Sequence, residues 1–169
     1  ERLLGAPRHG AHQAPTHGVP TPLQPVLDEL VAEYGVTASE KVVQTGHAVR
    51  CNVLLVDDDD HVLQAMSRLL GSWGHHTLSA TSAAEAIRLC EAEPERIDAV
   101  ICDYMLDPSM DGLALLQRLR LRRPRPLPVC MVTGDVSAER MEQARRHGFT
   151  LLHKPVTADA LQQFLQTCV

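Results

Sequence analysis

The sequence predicts an α/β domain in which helices cover both faces of a parallel β-sheet. From residue 53 onward, short apolar runs alternate five times with longer segments whose apolar residues recur at helical spacing. Three of the runs, VLLV, AVIC and LPVCMV, contain only apolar residues, which is typical of strands buried on both faces. Five consecutive βα units favour right-handed crossovers and a doubly wound sheet.

The first two units occupy residues 53–90. The first strand spans residues 53–56, and a row of apolar residues at helical spacing follows it and ends before Gly74. That row is Val62, Leu63, Met66, Leu69, Leu70 and Trp73. Residues 76–80 form a second, more polar strand. Ser82 and Glu85 then match a capping box, which predicts the start of the second helix. Its apolar residues are Ala86, Ile87 and Cys90.

The remaining three units follow the same alternation. Their strands are predicted at residues 99–102, 127–132 and 149–152. The apolar residues of the third and fifth helices are Leu113, Leu116 and Leu119, and Leu161, Phe164, Leu165 and Cys168. The fourth helix ends at Gly148 and is thinly hydrophobic, carrying Ala138 and Ala144 beside Met141, its main large apolar anchor.

A strand order of 2-1-3-4-5 satisfies these patterns, because it puts the mixed second strand at an edge and the apolar strands inside. The predicted fold is therefore a flavodoxin-like (βα)5 sheet. Its topological switch point lies between strands one and three, and the crevice there opens at the carboxyl ends of those strands.

Acidic residues follow the two strands at this switch point. VLLV runs into residues 57–60, which are all aspartate, and AVIC runs into Asp103. Unpaired carboxylates are costly inside a strand, so we expect them at strand ends, where a hard cation such as Mg²⁺ can bind them. Asp57, Asp58 and Asp103 are expected to converge on that site. Asp59 and Asp60 fit an exposed turn, with Asp60 as the cap of the first helix.

Two later strands end in groups of complementary chemistry. LPVCMV is followed by Thr133 and Gly134, and the fifth strand leads to Lys154 and Pro155. A hydroxyl donor and an ammonium group are suited to a dianionic phosphoryl group. Metal, carboxylates, hydroxyl and lysine together predict one phosphoryl-transfer site.

Composition narrows the possible classes of protein. The 169 residues are 44% hydrophobic and carry a net charge of −5, which disfavours nonspecific nucleic-acid binding. The arginines of residues 118–125 fit a solvated helix end. Five cysteines show neither CxxC spacing nor a secreted disulfide pattern, so a reducing cytoplasm is expected, with Cys102 and Cys130 as small core residues. No apolar run is long enough to span a membrane.

Residues 1–50 differ from the rest of the chain. Five of the eleven prolines and three spaced histidines fall in residues 7–25, which indicates a largely disordered linker or tail rather than a metal site. A short helix is possible near residues 26–34. The folded domain is expected to span residues 51–169, and the first residue, Glu1, allows the chain to be a piece of a longer protein.

The motifs in residues 52–169 resemble the receiver domain of two-component response regulators. In order along the chain, these motifs are LLVDDDD, ICDYM, MDG, MVTGD and HKPV. The resemblance implies that Asp103 accepts a phosphoryl group from a phosphohistidine on a sensor histidine kinase or a histidine phosphotransfer protein. It further implies Mg²⁺ bound directly by Asp58, Asp103 and the backbone carbonyl of Met105, with Asp57 acting through a water.

The same resemblance assigns the remaining site residues. Thr133 would hydrogen-bond the phosphoryl group, Lys154 would pair with it, and a cis bond before Pro155 would aim the lysine inward. Output, as a dimer or effector contact, would use the fourth helix, fifth strand and fifth helix. Two features depart from the family: the 103–112 loop is one residue longer than the common form, and Leu151 replaces an aromatic switch residue.

Other interpretations are weaker. A Mg²⁺-dependent phosphohydrolase of the haloacid-dehalogenase type would use Asp57 as nucleophile and Asp59 as acid/base, but it also needs an acidic pair on a strand after the lysine. A degenerate receiver that only binds partners is disfavoured because each phosphorylation position is filled. The chain fits a free-standing receiver or, slightly better, the C-terminal receiver of a hybrid histidine kinase.

Overall fold

The computed structural model describes residues 49–106, 110–123, 125–134 and 137–168. In that part of the chain, five strands alternate with five helices. The strands are β1 (Asn52–Val56), β2 (His76–Ala80), β3 (Ala99–Asp103), β4 (Val129–Thr133) and β5 (Thr150–His153). The helices are α1 (Asp60–Ser72), α2 (Ala83–Ala92), α3 (Gly112–Leu121), α4 (Ala138–Arg146) and α5 (Ala158–Gln166).

The strands form one parallel sheet in the order β2-β1-β3-β4-β5, which confirms the predicted topology. The register shows why β1 is buried: Leu54 pairs with Leu78 of β2 on one side and with Val100 of β3 on the other. β2 lies at an edge of the sheet and is more polar and more exposed than its neighbour β1, as expected for an edge strand.

Two apolar layers hold helices against the two faces of the sheet. Because side chains alternate along a strand, Val53 and Leu55 of β1 face α1 and α5, whereas Leu54 faces α2, α3 and α4. Leu161, Phe164 and Leu165 of α5 are buried in the first layer, as their spacing predicted. Aliphatic residues fill most of both layers, in keeping with the low aromatic content.

Side-chain caps begin the first two helices, with two differences from prediction. Asp59, not Asp60, caps α1: its carboxylate accepts a hydrogen bond of 2.8 Å from the backbone N–H of His61. Ser82 caps α2 by accepting from the N–H of Glu85 at 3.2 Å, as predicted. The carboxylate of Glu85 accepts from the N–H of Thr81, one residue before the cap, which extends the usual reciprocal pattern.

The predicted apolar anchor of α4 is wrong. Met141 is 40% exposed, whereas the buried residue of this helix is Ala144. A methyl group buries little surface, so α4 has a small apolar contact with the sheet. In α3, Leu115 lies in the buried row, while Leu113 is only partly buried.

Several strand ends differ from the predicted bounds because burial and strand pairing do not coincide. Leu127 and Phe149 are buried but precede β4 and β5 rather than belonging to them. Asp103 and Thr133 are the last residues of β3 and β4 rather than the residues that follow them.

The sequence predicted a solvated helix end for the arginines at the end of α3, but two of them make specific contacts. Arg120 donates to the backbone carbonyls of Leu127, His147 and Gly148, and its guanidinium lies 4.8 Å from the centre of the Phe149 ring. Arg123 donates to the carbonyl of Ile97 at 2.6 Å. These hydrogen bonds connect the end of α3 to the segments that precede β3, β4 and β5.

The linker was predicted for residues 1–50, of which residues 1–48, including the possible short helix near 26–34, lie outside the described residues. Within the described ranges, Cys102 and Cys130 are fully buried free thiols, as expected of small core residues. Among the helices of these ranges, none combines the length and the hydropathy that a membrane crossing requires.

Candidate functional site

Three carboxylates meet at the carboxyl ends of β1 and β3. Val56 pairs with Cys102, so the residues that follow, Asp57 and Asp103, leave adjacent strands side by side. Asp57, Asp58 and Asp103 each offer a carboxylate oxygen, and these oxygens all lie within 4.8 Å of one another. The predicted convergence of these residues on the switch point is therefore present.

Burial makes the two strand-end carboxylates costly to ionise. The pKa of Asp57 is raised to about 6: burial is the largest cause, the hydrogen bond from the backbone N–H of Asp59 opposes it, and the nearby Asp103 adds to it. Burial likewise raises the pKa of Asp103, while Lys154 is the largest influence that lowers it. The site thus holds negative charge that its own residues compensate only in part.

The donor set fits a hard divalent cation. Carboxylate oxygens are the ligands that Mg²⁺ prefers, and three of them within 4.8 Å can share one ion. A cation there would offset both the burial of Asp57 and its repulsion with Asp103. The family-implied Mg²⁺ is therefore compatible with the residues present.

Lys154 reaches the same site from β5. Its ammonium nitrogen Nζ lies 3.4 Å from Oδ2 of Asp103, and its backbone N–H donates to the carbonyl of Thr133 at 2.9 Å. The bond between Lys154 and Pro155 is cis, as the resemblance implied. Thr133, which is 2% exposed, ends β4, and Lys154 follows the neighbouring strand β5.

Gly112 lies against the backbone at the end of β3. A Cβ atom at this position would be 2.4 Å from the carbonyl oxygen of Asp103. The N–H of Gly112 donates to the carbonyl of Tyr104 at 2.9 Å, which fixes the start of α3 beside β3. The MDG motif marked this glycine in the sequence, but its close approach to Asp103 was not foreseen.

Met105 is the remaining predicted metal-binding residue. Its side chain is on the surface, with 67% exposure of the residue, and its backbone N–H hydrogen-bonds the carboxylate of Asp103. The loop that follows includes residues 107–109, so the shape predicted for the longer 103–112 segment lies partly outside the described residues.

A contact between Tyr104 and Arg140 escaped sequence analysis. The guanidinium carbon of Arg140, in α4, lies 4.4 Å from the centre of the Tyr104 ring, and Tyr104 is the residue after Asp103. A pair separated by 36 positions in the chain leaves no periodic signal, so only the packing of α4 reveals it.

The hydrolase interpretation loses one of its two catalytic residues. Asp59, its required acid/base, is exposed and directs its carboxylate to the N–H of His61 as the cap of α1. Within the described ranges, only α5 follows Lys154, and it supplies no strand for a second acidic pair. The haloacid-dehalogenase alternative is not supported.

Comparison with known proteins agrees with this arrangement. Residues 53–166 match the family model of the response regulator receiver domain. The transcriptional regulatory protein GlrR of Escherichia coli K12 is 36% identical over 113 residues, 66% of this chain and 24% of that protein. The sensor histidine kinase RcsC of Salmonella typhi is 35% identical over 114 residues, 67% of this chain and 12% of that protein. The chain thus spans a quarter or less of the length of these relatives.

Solved structures show the same fold. A response regulator receiver domain protein from Clostridium thermocellum covers 70% of this chain with a TM-score of 0.65 and 28% identity. A response regulator receiver protein from Pseudomonas putida covers 72% with a TM-score of 0.63 and 30% identity. The matches cover 93% and 99% of those two chains, respectively. This chain belongs to the response regulator receiver domain family.

Proposed function

We propose that Asp103 takes a phosphoryl group from a phosphohistidine on a partner protein and that the acyl phosphate changes the conformation of the domain. The observation that carries this proposal is the position of the Asp103 carboxylate, which lies among two other carboxylates and 3.4 Å from the Lys154 ammonium group. A carboxylate with only a structural role would need no more than the ion pair with the lysine. A carboxylate that accepts a phosphoryl group needs both a cation site and a positively charged side chain beside it.

The residues of the chain divide the transfer between them. An oxygen of Asp103 attacks phosphorus, the bond from phosphorus to the donor imidazole nitrogen breaks, and the nitrogen leaves with the electron pair. Lys154 pairs with a phosphoryl oxygen and offsets the charge that makes an anionic nucleophile slow toward phosphate. The Thr133 hydroxyl donates to a second phosphoryl oxygen.

The acidic residues hold the cation. Asp58, Asp103 and the Met105 backbone carbonyl are proposed as direct ligands of Mg²⁺, and Asp57 as a ligand through water. When bound, Mg²⁺ withdraws negative charge from the phosphoryl oxygens and aligns donor and acceptor. Asp57 must lose its proton to take part, which its raised pKa makes dependent on pH.

The partners follow from the reaction. We propose a sensor histidine kinase or a histidine phosphotransfer protein as the donor, and the surface of α4, β5 and α5 as the output contact for an effector or a second copy. We further propose that residues 51–169 form the receiver domain, that residues 1–50 link it to other parts of a cytoplasmic signalling protein, and that the domain contacts no nucleic acid directly.

Labelling with a small phosphodonor tests the acceptor. Incubation of the 169-residue protein with Mg²⁺ and acetyl phosphate should add one phosphoryl group, measured by intact-protein mass spectrometry, and chelation of the metal should prevent it. Asp103→Asn should abolish the addition. The matched control is Asp60→Asn, since Asp60 belongs to the same acidic run but is exposed in the first turn of α1.

Undiminished labelling of Asp103→Asn would show that the acceptor lies elsewhere. Loss of labelling in Asp60→Asn as well would indicate a general effect of charge rather than a specific acceptor. Steady hydrolysis of a generic phosphate ester would support the hydrolase interpretation and contradict the proposal that the domain is a phosphoryl acceptor.

A further inference from the structure

We infer that Arg140 is a positioning residue that transmits the state of Asp103 to α4 through the ring of Tyr104. The inference rests on the proposed function, because it takes Asp103 as the phosphoryl acceptor. Its physical basis is the placement of the Arg140 guanidinium over the Tyr104 ring, with 4.4 Å between the guanidinium carbon and the ring centre. That distance is well within the range of an attractive cation–π contact.

Tyr104 is held by its backbone to the groups that phosphorylation alters. Its N–H donates to the carbonyl of Val132 at 2.9 Å and is also hydrogen-bonded to the Asp103 carboxylate. Its carbonyl accepts from Gly112 at 2.9 Å. The ring is buried in the apolar layer under α3 and α4. A change in the geometry or charge of the Asp103 carboxyl group therefore reaches Tyr104 directly.

Arg140 is placed to respond on the other side of the contact. It lies in the first turn of α4, which follows the segment leading from Thr133. Ala144 is the buried residue of this helix, and Met141 is 40% exposed, so apolar packing holds α4 weakly. When few apolar contacts fix a helix, a polar contact near its start has a larger share in setting the position of the helix.

The two ends of the contact are thus attached to two parts of the proposed switch. Tyr104 follows the acceptor Asp103, and Arg140 follows the hydroxyl residue Thr133 along the chain. Movement of either part changes the distance or angle between guanidinium and ring, and the contact resists such movement. Arg140 thereby couples the position of α4 to the state of Asp103.

Substitution of Arg140 tests this coupling in the full 169-residue protein. Amide NMR shifts are measured with and without a beryllium fluoride phosphoryl mimic in the presence of Mg²⁺. In Arg140→Ala, amides near Asp103 and Lys154 should respond as before, whereas the response of residues 138–146 should shrink. The NMR shifts report an equilibrium between the α4 position without the mimic and the α4 position with it. We expect Arg140→Ala to change the constant of this equilibrium by about two- to thirtyfold.

Conservative variants separate the cation–π contact from a merely structural role. Arg140→Lys keeps a cation and should restore part of the α4 response, and Tyr104→Phe keeps the ring face and should retain it. Tyr104→Leu should weaken it, and combining Tyr104→Leu with Arg140→Ala should add little to either change. Arg145→Ala is the matched control, because Arg145 lies in the same helix but pairs with Glu142 on the surface.

The outcomes distinguish this inference from the proposed function. If the unaltered protein is not labelled at Asp103, the proposed function fails. If labelling persists and the α4 response of Arg140→Ala equals that of Arg145→Ala, the coupling is absent and the inference is wrong. Additive effects of the Tyr104→Leu and Arg140→Ala substitutions on the α4 response would also overturn the inference. Thermal melting of each variant identifies any loss of folding.

Discussion

At the scale of single residues, burial controls the protonation of Asp57. Its pKa rises from 3.8 to about 6, chiefly because the folded protein excludes water from the carboxyl group. When the pKa of an acid is higher in the folded protein than in the unfolded chain, the folded protein binds more protons at pH values between the two pKa values. Its contribution to stability is therefore present at low pH and is lost as pH rises through that interval.

The first prediction is that metal-free protein loses stability through Asp57 between about pH 4 and pH 6, by on the order of 3 kcal/mol at most. Urea unfolding across this range should show a smaller pH dependence in Asp57→Asn. Added Mg²⁺ should stabilise the unaltered protein more above pH 6 than at pH 5, because the ligand must be deprotonated. An equal pH slope in the two proteins would contradict this account.

The second prediction concerns the close packing of Gly112. In Gly112→Ala, the new methyl group would meet the Asp103 carbonyl at 2.4 Å, so β3 and α3 must separate. We expect a loss of about 1 to 3 kcal/mol in the free energy of unfolding. Labelling of Asp103 should also slow, because the strand that carries it is displaced.

Gly71→Ala is the matched control for Gly112→Ala. Gly71 lies within α1, and a Cβ atom there would meet nothing within 4 Å. Alanine is the better helix former, so this variant should gain up to about 1 kcal/mol. Urea unfolding of both variants measures the difference, and similar losses in the two would show that packing against Asp103 is not the cause.

At the scale of secondary-structure elements, α4 is the helix that the phosphoryl group should move. The segment from Thr133 leads into it, and its apolar contact with the sheet is small. On the neighbouring strand, Leu151 is partly buried beside the same apolar layer. An aliphatic side chain there can adjust with little change of rotamer, so an aromatic rotation is not needed for the response.

The third prediction follows from this arrangement. Addition of the phosphoryl mimic should shift amides of residues 134–148 with little reorientation at Leu151, and Thr133→Ala should weaken that shift while still allowing labelling at Asp103. The physical reason is that the Thr133 hydroxyl forms a new hydrogen bond to the phosphoryl group. This bond draws Thr133 and the chain that follows it towards Asp103. Amide NMR measures the response. If the largest remote shifts lie outside α4 and β5, the output surface is assigned wrongly.

At the scale of the whole molecule, the fourth prediction is that residues 1–48 are dispensable for folding and labelling. The segment is rich in proline and has few apolar residues, so it can bury little surface. Removal of these residues should leave the melting temperature and the labelling of Asp103 nearly unchanged. A marked fall in either measurement would show that the segment packs on the domain.

Much of the fold follows from local patterns along the chain. The alternation of apolar runs and helical spacing identifies each strand and helix of the described residues, because burial requires one period in strands and another in helices. Parallel pairing and right-handed crossovers then limit the sheet order. Since strands at the switch point end at the same edge, the meeting of Asp57 and Asp103 also follows from sequence.

Other features depend on the distances and angles between elements, which residue spacing does not encode. Met141 was expected to anchor α4, yet the helix is rotated so that Ala144 is buried and Met141 is exposed. The close approach of Gly112 to Asp103 and the stacking of Arg140 on Tyr104 likewise join residues from different elements. By itself the sequence determined the elements, their order and the polar residues at the strand ends. The tertiary structure alone decided which face of α4 is buried and which distant side chains touch, because those contacts arise only when whole elements pack together.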